Sequence, residues 1–260
     1  MPDPIRLVVV DVDGCLTPGE ARDWNWQALQ FIQDLNQRAR RNEAVPAVTL
    51  CTGRQEPYVE VLMQAISGYL PAIYENGCGL YFPDGYRFVE HPSIKAETRE
   101  ALIEAKAVAY HNVVLPRLGY FQPGKEASLT LYPLPGISVS RLMGAVRDAI
   151  GRQTVGLTVR ASVSCVDVTP AGIDKGAGVR WLSKETGVPL SQMGGIGDST
   201  SDLAFLRLVG RSGAPANATA EVKKAVGYTA AHENGDGVVE LLRHWCRRDP
   251  TSEVEPNVRR

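Results

Sequence analysis

An apolar run near the N-terminus, LVVVDVDG at residues 7–14, ends in two carboxylates, Asp11 and Asp13, one residue apart. Its valines are consecutive rather than alternating with polar residues, which is typical of a strand buried on both faces of a sheet. Gly14 follows and favours a turn. Open parallel sheets bind ligands at the carboxyl ends of their strands, so this ending predicts an α/β fold with a functional site after the first strand.

Strands and helices alternate through the first and last parts of the chain. Leu29, Ile32, Leu35 and Ala39 have helical spacing and predict a helix over 26–40. Further strands are predicted in AVPAVTLCTG (44–53), PAIYENG (71–77) and MGGIGD (193–198), and further helices in the segments 57–66, 176–187 and 202–209. Apolar strands alternating with helices indicate a Rossmann-like parallel sheet that is covered on both faces.

The middle of the chain has a different pattern. LYFPDGYRFVE predicts a hairpin that turns at Asp84-Gly85. A helix over 94–115, a strand over 127–134, a helix over 139–150 and a pair of strands over 156–170 follow. We therefore expect an α+β cap domain at 84–171, inserted into a catalytic core formed by 1–83 and 172–250, with a flexible tail at 251–260.

Composition excludes several classes of protein. The chain has 260 residues and a formal net charge of −1, which disfavours nucleic-acid binding. The apolar runs are too short to span a membrane, and the start of the sequence does not resemble a secretory signal. Five scattered cysteines without a C-x-x-C pair disfavour a disulfide framework or a zinc site. We expect a cytoplasmic protein, monomeric or homodimeric.

Four short segments at or beside predicted strand ends carry chemistry. The first segment contributes the carboxylates of Asp11 and Asp13. The second, CTGR, contributes the hydroxyl of Thr52 and the small residue Gly53. The third, GIDKGAG, contributes the cation Lys175, and the fourth, GDSTSD, the carboxylates of Asp198 and Asp202. Oxygen ligands without His or Cys indicate Mg²⁺. A lysine, a hydroxyl and backbone N–H groups stabilise charge on phosphoryl oxygens, so the set predicts a phosphoryl-transfer site that acts on a small phosphorylated metabolite.

Each segment also has a structural interpretation. Two aspartates after a strand can belong to a turn, TGR can be a plain loop, a lysine at a helix start can be solvated, and GDSTSD can be a capped helix start. All four occur in order at matching strand ends, which favours a single site.

The four segments resemble the motifs of the haloacid dehalogenase superfamily, D-x-D-G-x-[LT]-T, a hydroxyl before G-R, a Lys and G-D-x-x-x-D. The position of the insertion resembles the Cof-type branch with an α+β cap. DVDGCLT, YENGCGLYF, GDSTSD and APANATAEVKKAV are similar to segments of archaeal-type phosphoglycolate phosphatases. The resemblance implies a phosphatase that works through an aspartyl-phosphate.

The resemblance also implies a role for each residue. Asp11 would be the nucleophile and a Mg²⁺ ligand, and Asp13 the general acid and base whose backbone carbonyl reaches the metal. Thr52, Gly53 and Lys175 would hold the phosphoryl oxygens. Asp198 would bind Mg²⁺ directly, Asp202 would either be a further Mg²⁺ ligand or support Asp198 from behind, and Asn217 would line the same edge. Ser201 stands where the branch usually has Asn, which would weaken metal binding.

The cap is expected to select the substrate. In PGKEASLTLY, the residues Lys125, Glu126 and Ser128 are candidates for contacting it, although a solvated strand edge explains them equally well. Arg54, after the second motif, has the same two interpretations. Phosphoglycolate is the expected substrate, with a sugar phosphate or sugar-acid phosphate as the alternative. A phosphomutase and a non-catalytic ligand-binding relative are the other functions considered.

Overall fold

The computed structural model describes residues 4–151 and 156–247. Within these residues, five parallel strands form the central sheet in the order β12-β11-β10-β1-β2. The strands are β1 (Leu7–Val10), β2 (Ala47–Leu50), β10 (Met193–Ile196), β11 (Arg211–Ala214) and β12 (Tyr228–Thr229). The first strand is therefore central, hydrogen-bonded to β2 on one side and β10 on the other.

Both faces of this sheet are covered, as the consecutive valines predict. Val8 and Val10 pack into one apolar cluster, whereas Leu7 and Val9 pack into a second one on the opposite face. The first cluster includes side chains of α1 (Trp26–Arg40), α2 (Glu56–Ala65) and α8 (Asn234–Arg247). The second includes side chains of α5 (Lys175–Thr186), α6 (Leu203–Leu206) and α7 (Ala220–Ala225). This burial fixes β1 rigidly, and with it the residues that follow.

An antiparallel sheet extends the core. Its strands are β3 (Ala72–Tyr74), β4 (Gly79–Phe82) and β5 (Arg87–Glu90), and a bridge between Cys51 and Ile73 joins β3 to the end of β2. The predicted hairpin is thus β4–β5. Phe88 and Val89 of its second strand pack against the two clusters of the core. Since both hairpin strands contact the core, we propose that the cap begins after Glu90 rather than at residue 84.

The cap has a four-stranded antiparallel sheet in the order β6-β7-β9-β8. It consists of β6 (Gly119–Phe121), β7 (Leu129–Pro133), β8 (Leu157–Ala161) and β9 (Val166–Pro170), with α3 (Ala96–Ala109) and α4 (Val139–Ile150). One turn of π-helix, Tyr110–Val114, extends α3. Leu102 of α3 and Leu142 of α4 share one apolar cluster with Leu131 and Val168 of the sheet. The cap therefore has a core of its own.

The fold class predicted from the sequence is confirmed: a parallel α/β core with an α+β cap. The strands β6 and β11 and the helix α8 were not predicted. The predicted tail at 251–260 lies outside the described residues. No helix in the described ranges is both long enough and apolar enough to cross a membrane.

Candidate active site

Asp11 and Asp13 both follow β1, but they lie in different local structures. The backbone N–H of Asp11 still donates to Ile196 O at 2.9 Å, so Asp11 continues the sheet, whereas Asp13 lies in the turn that follows. Gly14 has a φ of +86°, and a Cβ at this position would lie 2.2 Å from a carboxylate oxygen of Asp198. The glycine thus allows the first and fourth motifs to come together.

Lys175 is the first residue of α5, after the N-cap Asp174. Its ammonium group is buried and lies 2.9 Å from Asp11 Oδ1 and 2.6 Å from Asp202 Oδ1. Burial lowers the pKa of Lys175, but the charges of Asp11 and Asp202 outweigh burial and hold that pKa well above its usual value. Lys175 is therefore a fixed cation between two carboxylates.

Asp202 has both oxygens occupied by donors from the protein. Oδ1 accepts from Lys175, and Oδ2 accepts from the backbone N–H groups of Asp198 at 3.0 Å and Ser199 at 2.9 Å. The Ser199 hydroxyl also donates to Oδ2, at 3.1 Å. Because these bonds fold the loop that presents Asp198, the side chain of Asp202 supports the site rather than offering a free oxygen.

Asp198 has a free oxygen. Its Oδ1 is buried and has no hydrogen-bond partner among the described residues. Burial and the charge of Asp202 raise the pKa of Asp198 to about 7, against the opposing effect of Lys175. Burial and the same charge also raise the pKa of Asp11. Burial is the larger cause of both pKa shifts, and the neighbouring carboxylates add to it.

The carboxylates fit a divalent cation. One oxygen from each of Asp11, Asp198 and Asp202 lies within 4.8 Å of the others. A hard cation such as Mg²⁺ takes oxygen ligands and would supply the partner that Asp198 Oδ1 lacks. Asp202 already accepts hydrogen bonds at both oxygens, whereas Asp198 Oδ1 has no partner among the described residues, so Asp198 together with Asp11 is the better placed to hold the metal.

The second motif forms a loop directly after β2. The Thr52 hydroxyl is buried and accepts a hydrogen bond from the Arg54 backbone N–H at 3.2 Å. Thr52, Gly53 and Arg54 all line the same cavity as Asp11. The Arg54 guanidinium lies over the ring of Tyr58 and donates two hydrogen bonds to Asp13. The loop thus links the predicted phosphoryl-binding residues to the predicted acid and base.

A cavity of about 200 Å³ lies between the core and the cap. The core side includes Asp11, Asp13, Thr52, Gly53, Arg54, Lys175 and Asp198, and the cap side includes residues of β7, of β9 and of the loop between β8 and β9. Lys125 is a cap residue on its wall. The Lys125 ammonium donates to the Thr130 hydroxyl and lies 3.8 Å from Asp167 Oδ1.

Three other predicted binding residues lie elsewhere. Ser128 donates its hydroxyl to Glu75 Oε2 at 2.7 Å, and Glu126 is not among the residues that line the cavity. Asn217 donates to Gly14 O at 2.8 Å and accepts from the Asn234 backbone N–H at 2.7 Å. Asn217 therefore ties the turn of the first motif to the start of α8.

Glu20 and Asn76 are among the cavity-wall residues that the sequence analysis missed. Glu20 accepts hydrogen bonds from the hydroxyls of two cap residues, Tyr132 at 3.2 Å and Ser164 at 2.7 Å. Glu20 closes the segment TPGE immediately after the first motif, and Asn76 lies in YENG. Both residues lie next to a recognisable motif, which could have indicated a place near the site. That position does not indicate what either side chain does there.

Comparison with known proteins identifies the family. Residues 139–242 match the haloacid dehalogenase-like hydrolase family. The phosphoglycolate phosphatase of Pyrobaculum aerophilum is 30% identical over 238 residues, which are 91% of this chain and 94% of that protein. The chain belongs to the haloacid dehalogenase-like hydrolases. The resemblance seen in the four motifs is confirmed, and so is the expectation of an enzyme of the phosphatase class.

Solved structures of this haloacid dehalogenase-like fold cover both the core and the cap. A protein of Thermoplasma acidophilum superposes with a TM-score of 0.72 at 22% identity, over 94% of this chain and 99% of its own. The sucrose-phosphatase of Synechocystis superposes with a TM-score of 0.69 at 17% identity, over 94% of this chain and 98% of its own. At these identities the likeness shows the fold alone.

Proposed function

We propose that this protein is a Mg²⁺-dependent phosphatase that hydrolyses a small phosphorylated metabolite through an aspartyl-phosphate on Asp11. The observation that supports this most is the arrangement at the end of β1. Lys175 contacts Asp11, a carboxylate oxygen of Asp198 lies within 4.8 Å of one of Asp11, and Asp198 Oδ1 has no partner among the described residues. Mg²⁺ bound by Asp11 and Asp198 would neutralise charge on the phosphoryl oxygens.

The first step is attack by the Asp11 carboxylate on phosphorus. The new bond joins a carboxylate oxygen to phosphorus, and the bond from phosphorus to the leaving oxygen breaks. Protonated Asp13 gives its proton to that oxygen, so the product leaves as an alcohol. Thr52, the Gly53 N–H and Lys175 stabilise the charge on the transferring group.

The second step is hydrolysis of the aspartyl-phosphate. Asp13, now ionised, takes a proton from water, and the water oxygen attacks phosphorus. The bond to Asp11 breaks, which restores its carboxylate and releases inorganic phosphate. Asp13 ends protonated, ready for the next substrate. Arg54 donates one hydrogen bond to each oxygen of Asp13, so it orients the carboxyl group that exchanges the proton in both steps.

Phosphoglycolate is the substrate we propose. A cavity of about 200 Å³ suits a small ester. Lys125 and Arg54 are cations on its walls, and a carboxylate of the substrate would compete with their present partners, Asp167 and Asp13. The relative from Pyrobaculum aerophilum carries the name of that activity. A sugar phosphate is the alternative, supported by the fold shared with sucrose-phosphatase. The cytoplasmic location and the monomeric or homodimeric state stay predictions from the sequence.

Phosphate release tests this proposal. The purified protein would be assayed with phosphoglycolate, 2-hydroxyethyl phosphate, glucose 6-phosphate and sucrose phosphate, with Mg²⁺ or with EDTA. We expect release that requires Mg²⁺, is fastest with phosphoglycolate and is abolished in Asp11→Asn. Release of inorganic phosphate by Asp11→Asn at the wild-type rate would contradict the covalent mechanism. Isomerised sugar phosphate without free phosphate would indicate a phosphomutase.

A further inference from the structure

Glu75 is a fully buried carboxylate outside the motifs that carry the chemistry. It follows β3 in the core, yet all three of its side-chain partners belong to the cap. Oε1 accepts from the Glu126 backbone N–H at 3.0 Å. Oε2 accepts from the Ala127 backbone N–H at 3.1 Å and from the Ser128 hydroxyl at 2.7 Å. One core residue thus binds the cap segment 126–128.

The backbone around Glu75 binds the loop of the second motif. The Glu75 N–H donates to Arg54 O at 2.9 Å, and the Asn76 N–H donates to Thr52 O at 3.0 Å. These two bonds hold the loop at Thr52 and at Arg54, on either side of Gly53, and so fix the residues proposed to hold the phosphoryl group. Any displacement of the Glu75–Gly77 turn would therefore displace that loop.

The same turn packs against the start of α5. Gly77 has a φ of +100°, and a Cβ on it would lie 2.2 Å from the carbonyl oxygen of Asp174, the N-cap residue before Lys175. The turn therefore contacts three parts of the site: the second-motif loop, the helix that carries Lys175 and the cap segment.

Glu75 and Asn76 have φ values of +46° and +57°. Side chains other than glycine rarely adopt this region, and glutamate lacks the local hydrogen bonds that let asparagine tolerate it. Such backbone strain persists where surrounding contacts over-determine the conformation. The contacts that do so here are the ones to the second-motif loop and to the cap.

On the cap side, the bound segment begins one residue after Lys125. The Lys125 side chain is buried and lines the cavity, with its ammonium group on Thr130. Because Glu75 fixes the backbone at 126 and 127, it also fixes the point from which Lys125 extends. The span between Lys125 and the Thr52–Arg54 loop is thus set by a single turn of the core.

We infer that Glu75 is a positioning residue that sets this span and so selects phosphate esters carrying a second anionic group, such as a carboxylate. This inference rests on the proposed phosphatase function. Glu75 is not among the residues that line the cavity, so we assign it no direct contact with the substrate. It acts through Lys125, which lines the same cavity as Asp11 and would contact the second anionic group of the ester.

Glu75→Gln is the main test, because it keeps the size of the side chain but replaces one acceptor oxygen with an NH₂ group. That group would face a donor of the cap segment 126–128, so at least one hydrogen bond to the segment is lost. We expect the KM for phosphoglycolate to rise about five- to tenfold, whereas the KM for p-nitrophenyl phosphate, which lacks a second anion, changes less than twofold. Ser128→Ala removes one of the three bonds and should give a smaller rise. Glu100→Gln, an exposed carboxylate on α3, is the matched control. Equal effects of Glu75→Gln on both substrates would contradict substrate selection.

A double-mutant cycle with Lys125→Met tests the route of the effect. If Glu75 acts through Lys125, Glu75→Gln should add less than twofold to the phosphoglycolate KM once Lys125 is absent. Additive effects would contradict the inference. Hydrogen exchange gives a readout independent of turnover, since the amides of Glu126 and Ala127 should exchange faster in Glu75→Gln than in Glu100→Gln. Unchanged exchange there would also contradict it.

Failure of the proposed function has a different signature. Wild-type protein that releases no phosphate from any ester would contradict the phosphatase. The positioning role is still measurable then, as the Kd of phosphoglycolate for Asp11→Asn against the double variant Asp11→Asn/Glu75→Gln. A Kd raised about five- to tenfold would support that role, and an unchanged Kd would overturn it.

Discussion

Arg54 donates from Nε to Asp13 Oδ2 and from Nη2 to Asp13 Oδ1, both at 2.7 Å. The pair is half-buried, with 15% of the Arg54 side chain and 25% of the Asp13 side chain exposed. A planar fork of this kind fixes the orientation of a carboxylate as well as its position. Arg54 therefore aligns the residue that we propose as acid and base, in addition to providing charge on the cavity wall.

Arg54→Lys should lower kcat/KM for phosphoglycolate by about tenfold or more, because lysine keeps the charge but cannot form two parallel hydrogen bonds to Asp13. The assay is phosphate release under saturating Mg²⁺. Arg41→Lys, which alters an exposed arginine paired with Glu43 on the surface, is the control and should be neutral. Wild-type kinetics in Arg54→Lys would show that the fork has no part in orienting Asp13.

Asp13→Ala should lose most of the activity, about 10²- to 10⁴-fold, as expected when a general acid and base is removed. Mg²⁺ binding should persist, because the free carboxylate oxygen of the site belongs to Asp198. The two readouts are phosphate release and the rise in Tm on addition of Mg²⁺. If Asp13→Ala keeps the wild-type rate, Asp13 is not the acid and base. If it loses the Mg²⁺-induced rise in Tm together with the rate, the side chain of Asp13 takes part in metal binding.

Asp11 and Lys175, which the sequence analysis assigned to one site and the structure brings to within 2.9 Å, are each specified by their own neighbours in the chain. Asp11 is placed by the strand before it, and Lys175 by the helix it begins. Glu75 is different, because its partners lie 51 to 53 residues away in the cap and no local pattern indicates them. The link between Arg54 and Asp13 likewise spans 41 residues and depends on the orientation of two side chains.

The strand β11 and the helix α8 were not predicted for the same reason: each depends on contacts with distant parts of the chain. The strand β11 is RSGA, a short segment with polar residues and a glycine, whose position depends on pairing with β10. The helix α8 begins NGDG, and two glycines near its start weaken any helical signal. Packing against α1 and the sheet stabilises α8 where its intrinsic propensity does not.

Lys175→Met should destabilise the metal-free protein by about 3–5 kcal/mol, because it leaves the buried carboxylates of Asp11 and Asp202 without their cation. Urea unfolding in EDTA measures this change. Lys184→Met, an exposed lysine near the end of the same helix, is the matched control, with an expected change within about 0.5 kcal/mol. If the two variants unfold at the same urea concentration, the buried ion pairs do not stabilise the core.

Asp198 should make the stability of the metal-free protein depend on pH. Its pKa is about 7 in the folded protein and near 3.8 in an unfolded chain. Between about pH 4 and pH 7 the folded state therefore holds a proton that the unfolded state has lost, and stability falls as the pH rises through this window. Mg²⁺ favours the ionised carboxylate, so its effect on Tm should be larger at pH 8 than at pH 5.

Asp198→Asn isolates this contribution. The variant should show a flatter fall in Tm between pH 4 and pH 7 in EDTA, and Mg²⁺ should raise its Tm little at any pH. Asp148→Asn, an exposed aspartate on α4, should behave like the wild type in both measurements. Calorimetric scans with EDTA or Mg²⁺ at several pH values give the comparison. A Mg²⁺-induced rise in Tm that survives undiminished in Asp198→Asn would place the metal away from Asp198, since the variant lacks the negative charge that favours a divalent cation there.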